Sequence, residues 1–253
     1  MAYREKVTIV RADEIATDIY EMCFSTENIA KEAKPGQFVS VYSNDGSRLL
    51  PRPISICGIE GDTLRIVYRA VGKGTQEFAT MHAGQTLEVQ GPLGNGYDIS
   101  KVSKERKAIL FGGGIGIPPM LELAKQLDCE KSIVLGYRDE LFLNDEFEAY
   151  GKVYLATEDG SAGTKGNVLD AVKACGIEGD ILFACGPTPM LRAIKQYANG
   201  LECYLSLEEK MACGIGACLA CVCKSTQVDD HSKVHNKRVC KEGPVFNAEE
   251  VEL

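Results

Sequence analysis

Lys107-Ala108-Ile109-Leu110-Phe111-Gly112-Gly113-Gly114-Ile115-Gly116-Ile117-Pro118-Pro119-Met120-Leu121-Glu122-Leu123-Ala124-Lys125-Gln126-Leu127 is the stretch at which the chain changes period. A short apolar run gives way to a glycine turn and then to a helical pattern. Pro118 and Pro119 stand in its first turn, where a missing N–H costs nothing. Three more apolar runs follow, Ser132–Arg138, Lys152–Thr157 and Asp180–Ala184, and then a helix over Met190–Ala198. Apolar strands alternating with helices predict a parallel sheet. The turn is not G-x-G-x-x-G, because Ile117 or Pro119 stands where the last glycine would be. Tight backbone remains at the carboxyl end of a strand, where open parallel sheets bind ligands. A second such turn, Ala184-Cys185-Gly186-Pro187-Thr188-Pro189-Met190, points to a nucleotide site at these strand ends.

Upstream, the period is two. Lys6–Val10, Gln37–Tyr42, Thr63–Tyr68 and Thr86–Val89 alternate, separated by Pro35-Gly36, Glu60-Gly61-Asp62 and Ala83-Gly84. Short strands spaced by turn formers predict a small antiparallel barrel, closed off by the turn-rich segment Gln90–Tyr97. Two motifs inside it suggest chemistry. Arg52-Pro53-Ile54-Ser55 opens a strand and carries a cation and a hydroxyl three residues apart, so a twist or bend must aim them together. Arg69-Ala70-Val71-Gly72-Lys73-Gly74-Thr75 leads into an expected helix over Gln76–Met81, a flexible approach suited to a pyrophosphate. Taken singly, an Arg-Pro pair is an ordinary strand edge and a Gly-Lys-Gly turn an ordinary solvated loop.

Downstream lies the most specific pattern. Cys213, Cys218 and Cys221 are spaced C-x4-C-x2-C among small residues, and Cys240 follows after a polar segment. This is the plant-type ligand spacing of a 2Fe-2S cluster. Gly214, Gly216, Ala217 and Ala220 let the main chain wrap a cluster and offer it N–H groups. Zinc also takes four thiolates, but usually as paired C-x2-C knuckles, and only Cys218 and Cys221 form one. Cys223 fits no ligand slot and marks the start of a strand, as packing or as a sulfur neighbour. His231 and His235 sit in a polar run that reads as an exposed loop, and Asp139-Glu140 with Asp145-Glu146 as a solvated face or helix cap.

Composition narrows the rest. At 253 residues there is room for two domains and an appendage. A net charge of −8 argues against nucleic acid, whose phosphates require a basic surface. The eleven cysteines are an odd number in a chain with no apolar signal-peptide core at Met1–Val7, so reduced thiols and a cytoplasmic location are expected, without a membrane span.

On Arg52–Ser55, Gly72–Thr75, Gly112–Gly116, Cys185-Gly186-Pro187, Cys213–Cys221 and Arg238–Phe246, the chain resembles the ferredoxin reductase superfamily nearly end to end. Within it, the chain resembles the family of electron transfer subunits of NAD-dependent, class 1B dihydroorotate dehydrogenases. The resemblance implies an α+β multidomain protein: an FAD-binding β-barrel over 1–101, a nicotinamide-nucleotide α/β domain over 102–202 and a 2Fe-2S segment over 203–253. It implies FAD on Arg52, Pro53, Ile54, Ser55, Arg69, Ala70, Val71, Gly74 and Thr75. Arg52 would hold the flavin pyrophosphate, and Ser55 would approach the flavin ring. NAD is implied at Gly113, Gly114 and Gly116, with Cys185 and Gly186 near the nicotinamide. Cys213, Cys218, Cys221 and Cys240 would be the cluster ligands.

Ile54 departs from the superfamily pattern, which often has an aromatic residue there stacked on the flavin, so Tyr68 or Tyr97 must serve instead. The family further implies a separate FMN-bearing catalytic subunit, two copies of each in a heterotetramer. Two alternatives share parts of this pattern: a flavin and cluster subunit of an NADPH-linked electron-bifurcating or sulfide-oxidising complex, and a zinc-stabilised module without catalysis.

Overall fold

A computed structural model describes residues 1–228 and 233–253. His231 lies outside the described residues, while His235 is exposed just before a strand. The amino-terminal part is a closed barrel of β1 (Tyr3–Ala16), β2 (Ile19–Ser25), β3 (Phe38–Val41), β4 (Arg52–Glu60), β5 (Thr63–Arg69) and β6 (Thr86–Leu93). Its order is β1-β2-β5-β4-β3-β6. Inward residues such as Val7, Ile9, Phe24, Val39, Ile56, Ile66 and Val89 fill it. Short helices α1 (Ile29–Glu32) and α2 (Lys73–Phe78) interrupt the strands.

Three details differ from expectation. β2 escapes the alternation because Glu21 is buried on it, held by ion pairs to Arg11 and Arg65. β6 continues through Gln90–Leu93, pairing Gly91 with Tyr3 and Leu93 with Phe38, where a closing turn was expected. α2 starts at Lys73 rather than Gln76, because the Thr75 hydroxyl accepts from the N–H groups of Val71 and Gly72 and donates to the Gly72 carbonyl, each at 3.1 Å. Gly74 and Thr75 therefore belong to the helix rather than to its approach.

The second unit is a sheet of β7 (Lys107–Gly113), β8 (Glu130–Tyr137), β9 (Lys152–Thr157), β10 (Thr164–Lys165), β11 (Ile181–Cys185), β12 (Glu202–Ser206) and β15 (Val245–Asn247). Their order is β10-β9-β8-β7-β11-β12-β15, parallel except for β15. Helices α3 (Ile117–Gln126), α4 (Asn144–Phe147), α5 (Val168–Cys175) and α6 (Thr188–Ala198) complete it. α5 begins at Asn167, whose side chain accepts from Leu169 and Asp170 N–H. Strand order reverses beside β7: β8 and β9 run out on one side, β11 and β12 on the other. Such a reversal opens a crevice at the carboxyl ends of the two strands.

The tail supplies β13 (Val222–Lys224), β14 (Asn236–Arg238) and β15. β13 and β14 form a small ribbon, with Cys223 as its half-buried middle residue. β12 carries the sheet past residue 202, and β15 joins it from the tail, so the cysteine-rich segment is sewn into the sheet. It also rests on the barrel, where Asn95 Nδ2 donates to the carbonyls of Lys241 and Glu242.

Barrel and sheet are clamped together. Arg65 forks onto Glu146 at 2.6 and 2.8 Å, so Glu146 is an interdomain partner rather than part of a solvated face. Buried Glu122 of α3 accepts the Ile59 N–H at 2.9 Å, and Lys125 donates to the Ile59 carbonyl at 2.9 Å.

Candidate functional site

The barrel opens into a cleft of about 490 Å³. Arg52, Pro53, Ile54 and Ser55 of β4 line it, with Arg69, Val71 and Thr75. The two weak motifs of the barrel meet here. A Cβ on Gly74 would stand 2.2 Å from Arg52 Nε and 2.5 Å from its Cζ, so the glycine leaves the space that the guanidinium occupies. Ala70 and Gly74 do not line the cleft themselves; Gly74 acts by setting Arg52. Arg52 Nη1 also donates to the Leu50 carbonyl. The result is an oriented cation at one end of a mostly apolar slot, suited to a planar ring with a phosphate tail.

Of the two tyrosines expected beside the flavin, Tyr68 lines the cleft. Tyr97 does not: it is buried, its ring 5.5 Å from Phe183 and its hydroxyl 3.7 Å from Met120 Sδ. The far wall was invisible to sequence reasoning. It consists of Ile115, Leu207, Glu208, Glu209, Lys210, Met211 and Pro244, brought over the barrel by the sheet and tail. Glu208 is part of this wall, and burial of its carboxyl against the cleft raises its pKa above the ordinary value.

A second cleft of about 520 Å³ lies at the switch point. Gly113 and Gly114 line it, with Arg138, Asp139, Glu140 and Glu158 from the ends of β8 and β9, and Thr17 and Asp18 from the barrel hairpin. Gly116, Cys185 and Gly186 lie behind this surface. A Cβ on Gly116 would be 2.4 Å from the Cys185 carbonyl carbon, and one on Gly186 3.2 Å from Gly113 Cα. The two glycine turns thus pack backbone to backbone, as close approach of a ligand to both strand ends requires. The Cys185 thiol, fully buried, is pushed up to about 12 by burial and is neutral at physiological pH. Arg69 lines both clefts, so the two meet at one residue.

The four expected thiols lie beyond the first cleft. Met211 lines that cleft, and Cys213 follows two residues later, within about 7 Å along the chain. Cys213 Sγ accepts N–H from Ile215 at 3.5 Å and Ala217 at 3.3 Å. Cys221 Sγ accepts the Cys240 N–H at 3.4 Å. Thiol contacts pair Cys213 with Cys218 and Cys221 with Cys240. Burial opposes charge on Cys213, but the N–H groups of Ile215 and Cys218, the Cys218 thiol and the Ala217 N–H outweigh it and bring the thiol down to about 6. Burial, followed by the neighbouring Cys221, pushes Cys240 up to about 12. Among the described residues no three metal-binding side chains converge as on a single ion. Two contacting thiol pairs, with backbone N–H donors on Cys213 and Cys221, are a donor set of the kind that would hold a 2Fe-2S cluster.

A closed antiparallel barrel joined to a parallel sheet, with clefts meeting at Arg69 and thiols at the end of one of them, defines a flavin- and nicotinamide-linked electron-transfer oxidoreductase of the ferredoxin reductase type. Residues 208–252 match the family described as the iron-sulfur cluster binding domain of dihydroorotate dehydrogenase B. The chain is 46% identical to the dihydroorotate dehydrogenase B (NAD(+)), electron transfer subunit of Fusobacterium nucleatum, covering 98% of each. It is 44% identical to the same subunit of a Geobacillus species, covering 100% of each. The chain belongs to this family of electron transfer subunits.

Among solved structures, it resembles an NADH-dependent reduced ferredoxin-NADP oxidoreductase studied for flavin-based electron bifurcation. The TM-score is 0.86 at 32% identity, covering 97% of this chain and 89% of that one. A flavohemoglobin from Malassezia yamatoensis with bound FAD and heme shares the fold at TM-score 0.67 and 23% identity, over 78% of this chain and 57% of that one.

Proposed function

We propose that this chain carries electrons from the FMN of a separate dihydroorotate dehydrogenase catalytic subunit to NAD, through a 2Fe-2S cluster and FAD, in pyrimidine biosynthesis. The observation that carries this reading is contiguity. Met211 walls the barrel cleft two residues before Cys213, and Arg69 walls the barrel and sheet clefts alike. A flavin exchanges electrons singly or in pairs, so bound between the other two groups it links one-electron and hydride chemistry.

In this reading, Cys213, Cys218, Cys221 and Cys240 hold the irons. Arg52, set by Gly74, takes the flavin pyrophosphate, and Pro53, Ile54, Ser55, Arg69, Ala70, Val71 and Thr75 frame the rest. Gly113, Gly114 and Gly116 admit the nicotinamide nucleotide, with Cys185 and Gly186 behind the ring. The carboxylates Asp18, Asp139, Glu140 and Glu158 outnumber Arg69 and Arg138 around that cleft and favour NAD over a nucleotide with a further phosphate.

The catalytic subunit docks at the cluster. Cys218 is exposed there, flanked by Ile215, Leu219 and Val222, which are 51%, 50% and 37% exposed. Exposed apolar side chains beside a cluster suit a partner that must bring a second redox centre close. The assembly is a heterotetramer of two subunits of each kind, working in the cytoplasm. No helix among the described residues is long and apolar enough to cross a membrane.

The deciding experiment is an assay of orotate formation with NAD, using the chain alone and after co-purification with its partner. The chain alone is expected to oxidise NADH with artificial dyes and to leave dihydroorotate untouched. Turnover of dihydroorotate by the isolated chain overturns the subunit assignment.

A further inference from the structure

The turn that presents Cys240 is organised by one arginine. The Arg238 carbonyl accepts the N–H groups of Lys241, Glu242 and Gly243 at 3.0, 2.9 and 3.4 Å, closing the turn around Cys240. The Arg238 N–H donates to Glu242 Oε2 at 2.7 Å. Its Nε donates to both oxygens of the same carboxylate, at 3.1 and 3.0 Å, and Nη2 also reaches Oε1. This is the forked arginine–carboxylate geometry, which fixes orientation as well as distance. The guanidinium then reaches across to the other cysteines, where Nη1 donates to the Gly216 carbonyl at 3.0 Å.

Gly216 is joined to Ala217, whose N–H points at Cys213 Sγ at 3.3 Å. The carbonyl gripped by Arg238 and the N–H offered to the cysteine sulfur therefore belong to one peptide plane. Peptides are planar, so holding the oxygen aims the hydrogen. Gly216 has φ +86, and a Cβ there would lie 2.9 Å from the Lys241 side chain, so the loop reaches this pose only as glycine, pressed against the Cys240 turn.

We propose that Arg238, held by Glu242, is a positioning residue for the cluster. It aims the Gly216-Ala217 peptide N–H at Cys213 Sγ and locks the Cys240 turn against the three-cysteine loop. N–H donors on ligating sulfurs stabilise the more negative, reduced cluster, so this clasp raises its reduction potential. The inference rests on the cluster assignment above, and the wild-type protein's iron and acid-labile sulfide test that assignment separately.

The test uses the full chain, purified anaerobically as R238K, E242Q and K237Q. R238K keeps a positive charge but loses the fork. E242Q frees the fork from its anchor. K237Q removes a neighbouring charge that is directed elsewhere, to Glu250 at 2.7 Å. Iron, sulfide and FAD content are measured first, then the potential by titration followed with electron paramagnetic resonance.

R238K is expected to keep FAD and to show a reduction equilibrium at least tenfold less favourable, a shift of about 59 mV to more negative potential. Loss of iron from R238K with FAD retained also supports the clasp. E242Q is expected to shift in the same direction by less, and K237Q to match wild type. Full iron with unchanged potential and spectrum in both R238K and E242Q overturns the proposal, as does an equal shift in K237Q. If R238K does not fold, E242Q alone decides: a shift supports the clasp, and none refutes it.

Discussion

The Arg52 guanidinium occupies the space that a side chain on Gly74 would fill, with Nε 2.2 Å from where that Cβ would lie. Two stretches twenty residues apart in sequence are one site because a single residue has no side chain. G74A is therefore expected to swing Arg52 out of the cleft. A lost charge-assisted phosphate contact is worth roughly 1.5–3 kcal/mol, so FAD binding should weaken at least tenfold with the barrel otherwise intact. Titration of the apoprotein with FAD checks this; unchanged affinity would show that Arg52 is not the pyrophosphate ligand.

This contact explains what was legible and what was not. Arg52–Ser55 and Gly72–Thr75 stand out in the sequence, but their meeting depends on barrel closure, which no local pattern encodes. The strand, glycine turn and helix at Lys107–Gln126 and the cysteine spacing are local patterns, so both could be read directly from the sequence. β2 was hidden by Glu21, a charge that is tolerated inside only because Arg11 and Arg65 come from other strands. The flavin-side wall at Leu207–Met211 was hidden for a different reason. It becomes a wall only once β12 extends the sheet and β15 returns to it.

C240S should separate the redox centres. Cys240 is 2% exposed and its N–H donates to Cys221 Sγ, so on the proposed ligand set serine would take away a buried thiolate that the cluster needs. Iron and sulfide should fall to background, while FAD and NADH–dye activity persist, because none of the four cysteines lines either cleft. Concurrent loss of FAD would mean that the cluster segment is needed to build the barrel cleft itself.

Glu77 gives a pH signature. Burial works to raise its pKa, but hydrogen bonds from Ser43, the Asn44 N–H and Arg48 prevail and hold it below the ordinary glutamate value. A carboxylate depressed in the folded state stabilises it above the unfolded pKa, and that stabilisation is lost as pH falls through the folded value. Wild type should therefore exceed E77Q in stability near neutral pH by about 1 kcal/mol, the order expected of a partly exposed ion pair. The gap should close below about pH 4. Urea midpoints for the two proteins across that range measure it, and a gap that widens on acidification contradicts the assignment.

Gly113 and Gly116 make opposite predictions at the nucleotide cleft, although they are three residues apart. A Cβ on Gly113 would meet Met190 Sδ at 2.5 Å, the flexible end of a long side chain that can rotate away. A Cβ on Gly116 would meet the carbonyl carbon and oxygen of Cys185 at 2.4 Å and the Gly186 nitrogen at 2.5 Å, and backbone cannot turn aside. G116A must push β11 away from the turn after β7, an overpacking cost of about 1–3 kcal/mol that falls on the strand ends lining the cleft. We expect G116A to raise the KM for NADH at least tenfold and to lower the thermal midpoint, with iron, sulfide and FAD retained. G113A, which displaces only the Met190 side chain, should lower the thermal midpoint by much less. An equal loss of stability from the two alanines would mean that the backbone contact between the two turns carries no special cost.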